Sequence, residues 1–220
     1  MAFSHIISVN GAGNNSGVTT GNINTTGAKI ICISVTWYSG GGLPVITDSS
    51  GNTWTYLTST LGGNGITYSC ICYCINPTTS ATHNFTSTSY FAYSSISVSC
   101  FGSSGTPTYD VENSSVAYSG NQTTGCSITP TNNNSLIFTS LGASWGTYPI
   151  SVNSSFTIGE SNDFAAGLNM LNANAYLIQP SIASVTPQFT WTGGQYDVVQ
   201  TIASFYEVGG ANKNKMFFNL

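Results

Sequence analysis

Charge is what this sequence has least of. Only 5% of its 220 residues are Asp, Glu, Lys or Arg, against about 25% in an ordinary soluble domain. Arginine is missing. The three cations are Lys29, Lys213 and Lys215; the seven anions are Asp48, Asp110, Glu112, Glu160, Asp163, Asp197 and Glu207. Three scattered cations and a net charge of −4 argue against a nucleic-acid partner, which needs several Lys or Arg to neutralise phosphates. The same shortage leaves little repulsion between copies, so association is the default expectation. The surface must be built from Ser, Thr, Asn, Gly and Tyr.

Other absences narrow the field further. No segment approaches the roughly 18 apolar residues of a membrane span, and no window sustains a helical 3.6 period. The opening MAFSHIISVNGAG has no basic n-region and its apolar stretch stops at Ser8, so no secretory leader is expected. There is no CxxC pair, and no G-x-S-x-G elbow.

What is present is enough to fold. Hydrophobic residues make up 40% of the chain, with 11 Phe, 12 Tyr and 4 Trp, and they fall in β-branched and aromatic runs that alternate. Strands are expected at 28–38, within 43–59 with a turn at Asp48–Asn52, at 65–75, 82–88, 94–101, 134–145, 156–160, 167–178, 187–193 and 198–208. Helix over 163–177 is the alternative for one of them, because Ala and Leu are good helix formers. Gly, Asn, Ser and Pro clusters punctuate the runs every 8–12 residues or so, the rhythm of a sandwich or barrel. The chain also repeats: Tyr73 and Pro77 recur as Tyr176 and Pro180, and Phe85, Val98 and Phe101 recur as Phe189, Ile202 and Phe205. The expected fold class is all-β, a two-sheet antiparallel β-sandwich of jelly-roll-like form from an internal duplication. Each half supplies about four strands, packed face to face as one domain.

The segment ITYSCICYCINP places Cys70, Cys72 and Cys74 on one strand face with Ile66 and Tyr68, and Ile71, Tyr73 and Ile75 on the other. Same-face neighbours stand about 6.5–7 Å apart, too far for adjacent pairs to bridge, and parallel side chains cannot converge on zinc. In the repeat, Ala173, Ala175 and Leu177 hold the corresponding places. These cysteines are therefore expected to be small core-facing hydrophobes. A cross-strand disulfide involving Cys32, Cys100 or Cys126 is the alternative.

No catalytic residue or cofactor is assigned. His5 and His83 are read as incidental polar residues. The pairs Asp110 with Glu112 and Glu160 with Asp163 could serve glycoside hydrolysis but lie in stretches read as turns. Asp48 with Asn52 misses the calcium-loop pattern and fits an Asx-type turn better. Trp54 and Trp145 are the candidate glycan-stacking residues, near Gly-rich loops. The terminal segments are the candidate partner-binding elements. Residues 1–27 form a polar N-terminal arm carrying Phe3, Ile6, Ile7 and Val9; residues 209–220, GGANKNKMFFNL, form a tail carrying Met216, Phe217, Phe218 and Leu220. Either could add a strand or fill a groove on a neighbouring subunit.

The charge-poor pattern GAKIICISVTWYSGG…ITDSSGNTWTYL…YCINP…HNFTSTS…ISVSCFG resembles β-sandwich structural proteins of tailed bacteriophages, of the capsid-decoration and tail-surface type, over roughly residues 28–208. The resemblance implies a non-enzymatic virion subunit, made in the host cytoplasm, that binds capsid or tail proteins or copies of itself through its termini. No nucleic acid, membrane or cofactor is implied. A carbohydrate-binding host-attachment module, and a subunit of an extracellular filament, are the alternative expectations.

Overall fold

The computed structural model describes residues 3–13, 17–38, 42–58, 61–62, 67–88, 94–117, 125–144, 147–153, 155–164, 170–192 and 197–209. Sixteen strands and no helix occur among them. The first half contains β1 (Phe3–Gly13), β2 (Gly17–Thr19), β3 (Ile30–Tyr38), β4 (Val45–Asp48), β5 (Thr55–Tyr56), β6 (Leu61–Gly62), β7 (Thr67–Ile75), β8 (Phe85–Thr88) and β9 (Ser94–Ser103). The second contains β10 (Thr106–Ala117), β11 (Ser135–Ala143), β12 (Thr147–Val152), β13 (Thr157–Phe164), β14 (Met170–Gln179), β15 (Phe189–Thr192) and β16 (Val198–Val208).

The strands assemble into four antiparallel sheets. The first half forms a large sheet in the order β1-β9-β3-β7-β5, with β6 also on β7, and a small one, β2-β8-β4. The alternation of the chain between these two sheets is that of a jelly roll. The second half repeats the plan with β10-β16-β11-β14-β13 and β12-β15. The two large sheets pack on each other, β1 and β9 over β13 and β3 over β11 and β14. Each small sheet covers the outer face of its own large sheet. The sandwich expected from the repeat is therefore present at the centre, and an outer layer is added on each side.

Register makes the duplication concrete. Ile30 lies opposite Ile75 on β7 and Phe101 on β9; Leu136 lies opposite Ile178 on β14 and Phe205 on β16. The bulges recur as well, after His5 in β1 and after Tyr109 in β10.

Four layers explain why the central strands read as unbroken apolar runs. A strand covered on both faces has no solvent side to make polar. In β3, Ile31, Ile33, Val35 and Trp37 face the small sheet, in one cluster with Cys70, Cys72, Ile96, Val98, Cys100 and Phe85. Ile30 and Cys32 face the second half and meet Phe101, Leu136, Phe138, Ala203 and Phe205. On the far side, Leu141, Leu171, Ala173, Ala175, Phe189 and Trp191 form the equivalent outer core.

The central interface is apolar at one end only. At the other it is a layer of buried hydroxyls and amides, with the Glu160 carboxylate at its margin accepting from Asn10 Nδ2 across the halves. Ser95 Oγ donates to Asn162 Oδ1 at 2.5 Å and Ser99 Oγ to Asn174 Oδ1 at 2.9 Å. Asn172 accepts from Ser97 and donates to Ser34 Oγ at 3.2 Å and Thr36 Oγ1 at 2.8 Å. The sheets approach closely here: a Cβ on Gly142 would stand 3.0 Å from both Thr36 and Ser69, so only glycine fits without a shift.

Three expectations are corrected in part. Within the segment 1–27 read as a partner-binding arm, Phe3–Gly13 is instead the eleven-residue strand β1, paired with β9 of its own fold. The stretch around Asp110 and Glu112, read as a loop, is the twelve-residue edge strand β10. The stretch holding Glu160 and Asp163, read as a turn, is part of strand β13; Met170–Gln179 is the strand expected there, and the helix alternative falls.

Candidate functional site

Asp48 ends β4 and organises what surrounds it. Its carboxylate accepts from Ser50 N at 2.8 Å and Asn52 N at 3.1 Å, the Asx-type turn that the sequence indicated. It also accepts from Asn52 Nδ2 at 3.1 Å, Trp54 Nε1 at 3.0 Å and His83 Nε2 at 2.9 Å. The His83 and Asp48 side chains are both fully buried. His83 Nδ1 meets Thr25 Oγ1 at 2.9 Å, so hydroxyl, imidazole and carboxylate stand in the order of a nucleophilic relay. Burial decides against that use. Thr25 is 0% exposed, and its hydroxyl is also hydrogen-bonded to the Ser80 carbonyl at 3.2 Å and the Ser80 N–H at 3.1 Å. The group braces four chain segments, and His83 is a member of that brace, not the incidental polar residue expected. Its role was illegible in sequence because Thr25, Asp48 and His83 are far apart in the chain.

Outside this brace lies a shallow depression of about 440 Å³ lined by Leu43, Pro44, Val45, Ile46, Asn52, Thr53, Trp54 and Tyr56. It runs along β4, the edge strand of the small sheet. The described residues expose five large apolar side chains, and two of them, Leu43 at 44% and Val45 at 57%, are here. Trp54 is half-buried, edge-on to Phe85 with ring centroids 6.0 Å apart. The polar side-chain atoms of Asn52, Trp54 and Tyr56 are engaged within the fold. Asn52 exchanges hydrogen bonds with the Thr78 backbone at 2.7 and 3.0 Å. The Tyr56 hydroxyl donates to the Pro44 carbonyl at 2.6 Å and accepts from Ile46 N at 3.0 Å. Burial pushes the Tyr56 phenol well above its ordinary value, with Cys72 adding to the rise and the Ile46 bond opposing it.

The other sequence candidates are dispersed. Phe3 is 1% exposed and belongs to the central apolar core. Ile7 and Val9 pack against the cluster beneath the small sheet, while Ile6 is exposed at 37%. Trp145 and the tail residues Met216, Phe217, Phe218 and Leu220 lie outside the described residues. His5 stacks on Tyr176 with ring centroids 4.9 Å apart, and burial lowers its pKa. Asp110 accepts from Thr131 N at 2.9 Å and Ser204 Oγ at 2.8 Å. Glu112 accepts from Thr58 Oγ1 at 2.5 Å and Tyr109 OH at 3.0 Å. Glu160 accepts from Asn10 Nδ2 at 2.7 Å. Glu207 is wrapped by the turn joining the two halves, taking the backbone N–H of Ser104 at 2.7 Å and of Gly105 at 3.3 Å together with the hydroxyls of Ser103 and Ser104.

All six cysteines are buried and free. Cys70 and Cys72 face the small sheet as the alternation required, and no pair is bridged. Burial holds the thiols protonated: Cys100 is pushed up to about 12 and Cys126 to about 11, and Cys32, Cys70 and Cys72 are raised by the same cause. Among the described residues, no group of three His, Cys, Asp or Glu is placed to hold a metal ion.

Comparison with protein-family models, curated proteins and solved structures returned no match. The class defined by the coordinates is an all-β sandwich of antiparallel sheets.

Proposed function

We propose that this chain is a non-enzymatic structural subunit gripped by neighbouring subunits, of the kind that decorates the surface of a virus particle. The observation that carries the reading is how its functional groups are used. Asp48, Asp110, Glu112, Glu160 and Glu207 all accept hydrogen bonds from the frame, the one hydroxyl–imidazole–carboxylate chain is sealed inside it, and the one concave surface described above is apolar. Acid–base catalysis needs a titratable group in reach of substrate. The one lining that depression is Tyr56, whose hydroxyl is tied to the Pro44 carbonyl and the Ile46 N–H and whose phenol is pushed well above its ordinary value by burial. A neutral fold with an apolar flank is suited to being held.

The glycan-stacking alternative draws less support from Trp54. Its indole N–H is committed to Asp48, and Asn52 beside it is committed to Thr78, so sugar hydroxyls would find Thr53 alone. The test is co-sedimentation of the chain with assembled particles from the cells that make it, alongside concentration-dependent mass of the purified chain. Multicopy recovery in particles is the expected result. A chain that stays monomeric and never enters a particle would refute the proposal.

A further inference from the structure

The groove beside β4 has the features of a strand acceptor with a temporary plug. The Ser49 N–H to Asn84 carbonyl bond, 3.0 Å, sets the phase of the pairing between β4 and β8. Hydrogen-bonded and non-hydrogen-bonded pairs alternate along an antiparallel ladder, and Ile46 lies opposite Ser87. The Ile46 N–H and the Pro44 carbonyl therefore point away from β8, along the open edge. These are the two groups that an incoming strand would engage, and the Tyr56 hydroxyl occupies both. A single phenol stands in for a neighbouring backbone. On either side of it, Leu43 and Val45 present apolar side chains to solvent, an arrangement natural edges otherwise avoid.

We propose that this edge receives residues 210–220 of another copy of this chain. The inference rests on the subunit reading above and names the contact through which copies hold one another. A groove with Leu43 and Val45 exposed beside outward-pointing backbone groups of β4 calls for an apolar occupant that brings its own backbone hydrogen bonds. The segment ANKNKMFFNL has that form. Extended, it places Met216, Phe218 and Leu220 on one face and Phe217 and Asn219 on the other, which is the pattern of strand addition with alternate side chains in pockets. Nothing between Met216 and Leu220 is charged; Lys213 and Lys215 precede them and would sit at the rim, above a protein of net charge −4. Gly209, at φ +75°, turns the chain out of β16, and about 3.3 Å per extended residue lets the six residues 210–215 span roughly 20 Å before the first anchor. The donor leaves from the second half, next to β10, while the acceptor edge lies on the outer layer of the first half, beyond both large sheets. Tail and groove are different surfaces, so two copies close a dimer by exchanging tails, or the contact runs on from copy to copy as a ring or filament.

The experiment uses full-length chains. Val45→Asp spoils the groove at an exposed position, Phe218→Asp spoils the tail, and Phe217→Ser alters the opposite face of the tail; thermal unfolding checks that each folds. Sedimentation velocity over a wide concentration range reads the mass. The wild type should form species that grow with concentration. Each Asp variant should associate about tenfold to a hundredfold more weakly, the worth of one buried aromatic or aliphatic anchor, and Phe217→Ser should stay near wild type. Mixing the two Asp variants leaves one good groove and one good tail, so the mixture should form a dimer and stop there. Association untouched by either Asp variant overturns the inference while leaving the subunit reading in place. A monomeric wild type whose Trp54 emission changes on Phe218→Asp assigns the tail to its own groove, and overturns the second-copy assignment. The subunit reading falls separately, only if the wild type neither self-associates nor enters particles.

Discussion

Replacing Asn172 by Leu tests whether the buried polar layer between the two halves is a hydrogen-bonded structure or only polar filling. Asn172 is fully buried. It accepts from Ser97 and donates to Ser34 and Thr36. Leucine has a similar volume and keeps the sheets apart, but removes all three bonds. Thr36 retains a contact to the Leu141 carbonyl at 3.4 Å, whereas the Ser34 and Ser97 hydroxyls lose the partner described here. Each buried polar group left unpaired costs about 1–3 kcal/mol, and the extra apolar surface of leucine offsets part of that. The net loss should be about 2–4 kcal/mol, or a fall in Tm of about 5–15 °C for a chain of this size. Urea unfolding of the full chain is the assay, with the midpoint expected to drop and the slope to stay constant. The triple variant Ser34→Ala, Ser97→Ala, Asn172→Leu removes donors and acceptor together and should regain most of the loss, since deleting both partners is nearly neutral. A single-variant loss below about 0.5 kcal/mol, the scale of an ordinary surface change, would refute the reasoning. So would a triple variant less stable than the single one.

The buried thiols should be inert: a thiol reagent added to the native protein should label almost none of the six cysteines, and all six after unfolding. Because burial raises the thiol pKa values in the folded state, their contribution is fully present below the unfolded value of 9.0 and is lost as pH climbs through the raised ones, about 12 for Cys100; a urea midpoint that is the same well above pH 9.0 as at neutrality would contradict this. Glu207→Ala should free the turn at Ser103–Gly105, speeding protease cleavage there and costing about 1–2 kcal/mol, since bonds to a charged acceptor are worth more than neutral ones. Unchanged cleavage would show that the carboxylate is not holding that turn.

The sequence made the core strands legible because their faces alternate and their residues are β-branched or aromatic. It also carried the duplication, since Phe101 and Phe205, or Tyr73 and Tyr176, occupy matching registers. What it hid were the edges. The strand β10 runs through Pro107, Asp110 and Asn113 with most of its described side chains only partly buried, so its composition is that of a loop and only pairing with β16 makes it a strand. The outer sheets escaped notice for a related reason: four-residue segments such as β4 and β15 carry too little pattern to show which layer they join. Of the candidate residues, Phe3, read as a partner-binding residue, is buried in the chain's own core, because sequence pattern says that a side chain is apolar and not against what it packs. The Asp48 brace and the Tyr56 plug depend on contacts across tens of residues and have no local signal.

The layering restricts where any partner can bind. In a two-layer sandwich each sheet has one free face; here the large sheets bury one face against each other and the other beneath a small sheet, so neither is open. Broad apolar faces, the usual material of large protein interfaces, have been consumed inside the chain. Among the described residues, what remains outward is the solvent side of the two small sheets and the edges. Recognition confined to edges relies on backbone pairing supplemented by a few side-chain anchors, which suits a surface with almost no charge to contribute. It also accounts for the placement of the plug: an unpaired edge on such a fold is a standing invitation to aggregation, and a tyrosine that satisfies the Pro44 carbonyl and the Ile46 N–H keeps it closed until a strand with better anchors displaces the hydroxyl. Tyr56→Phe removes the plug and leaves the ring, so it separates protection of the edge from packing of the pocket.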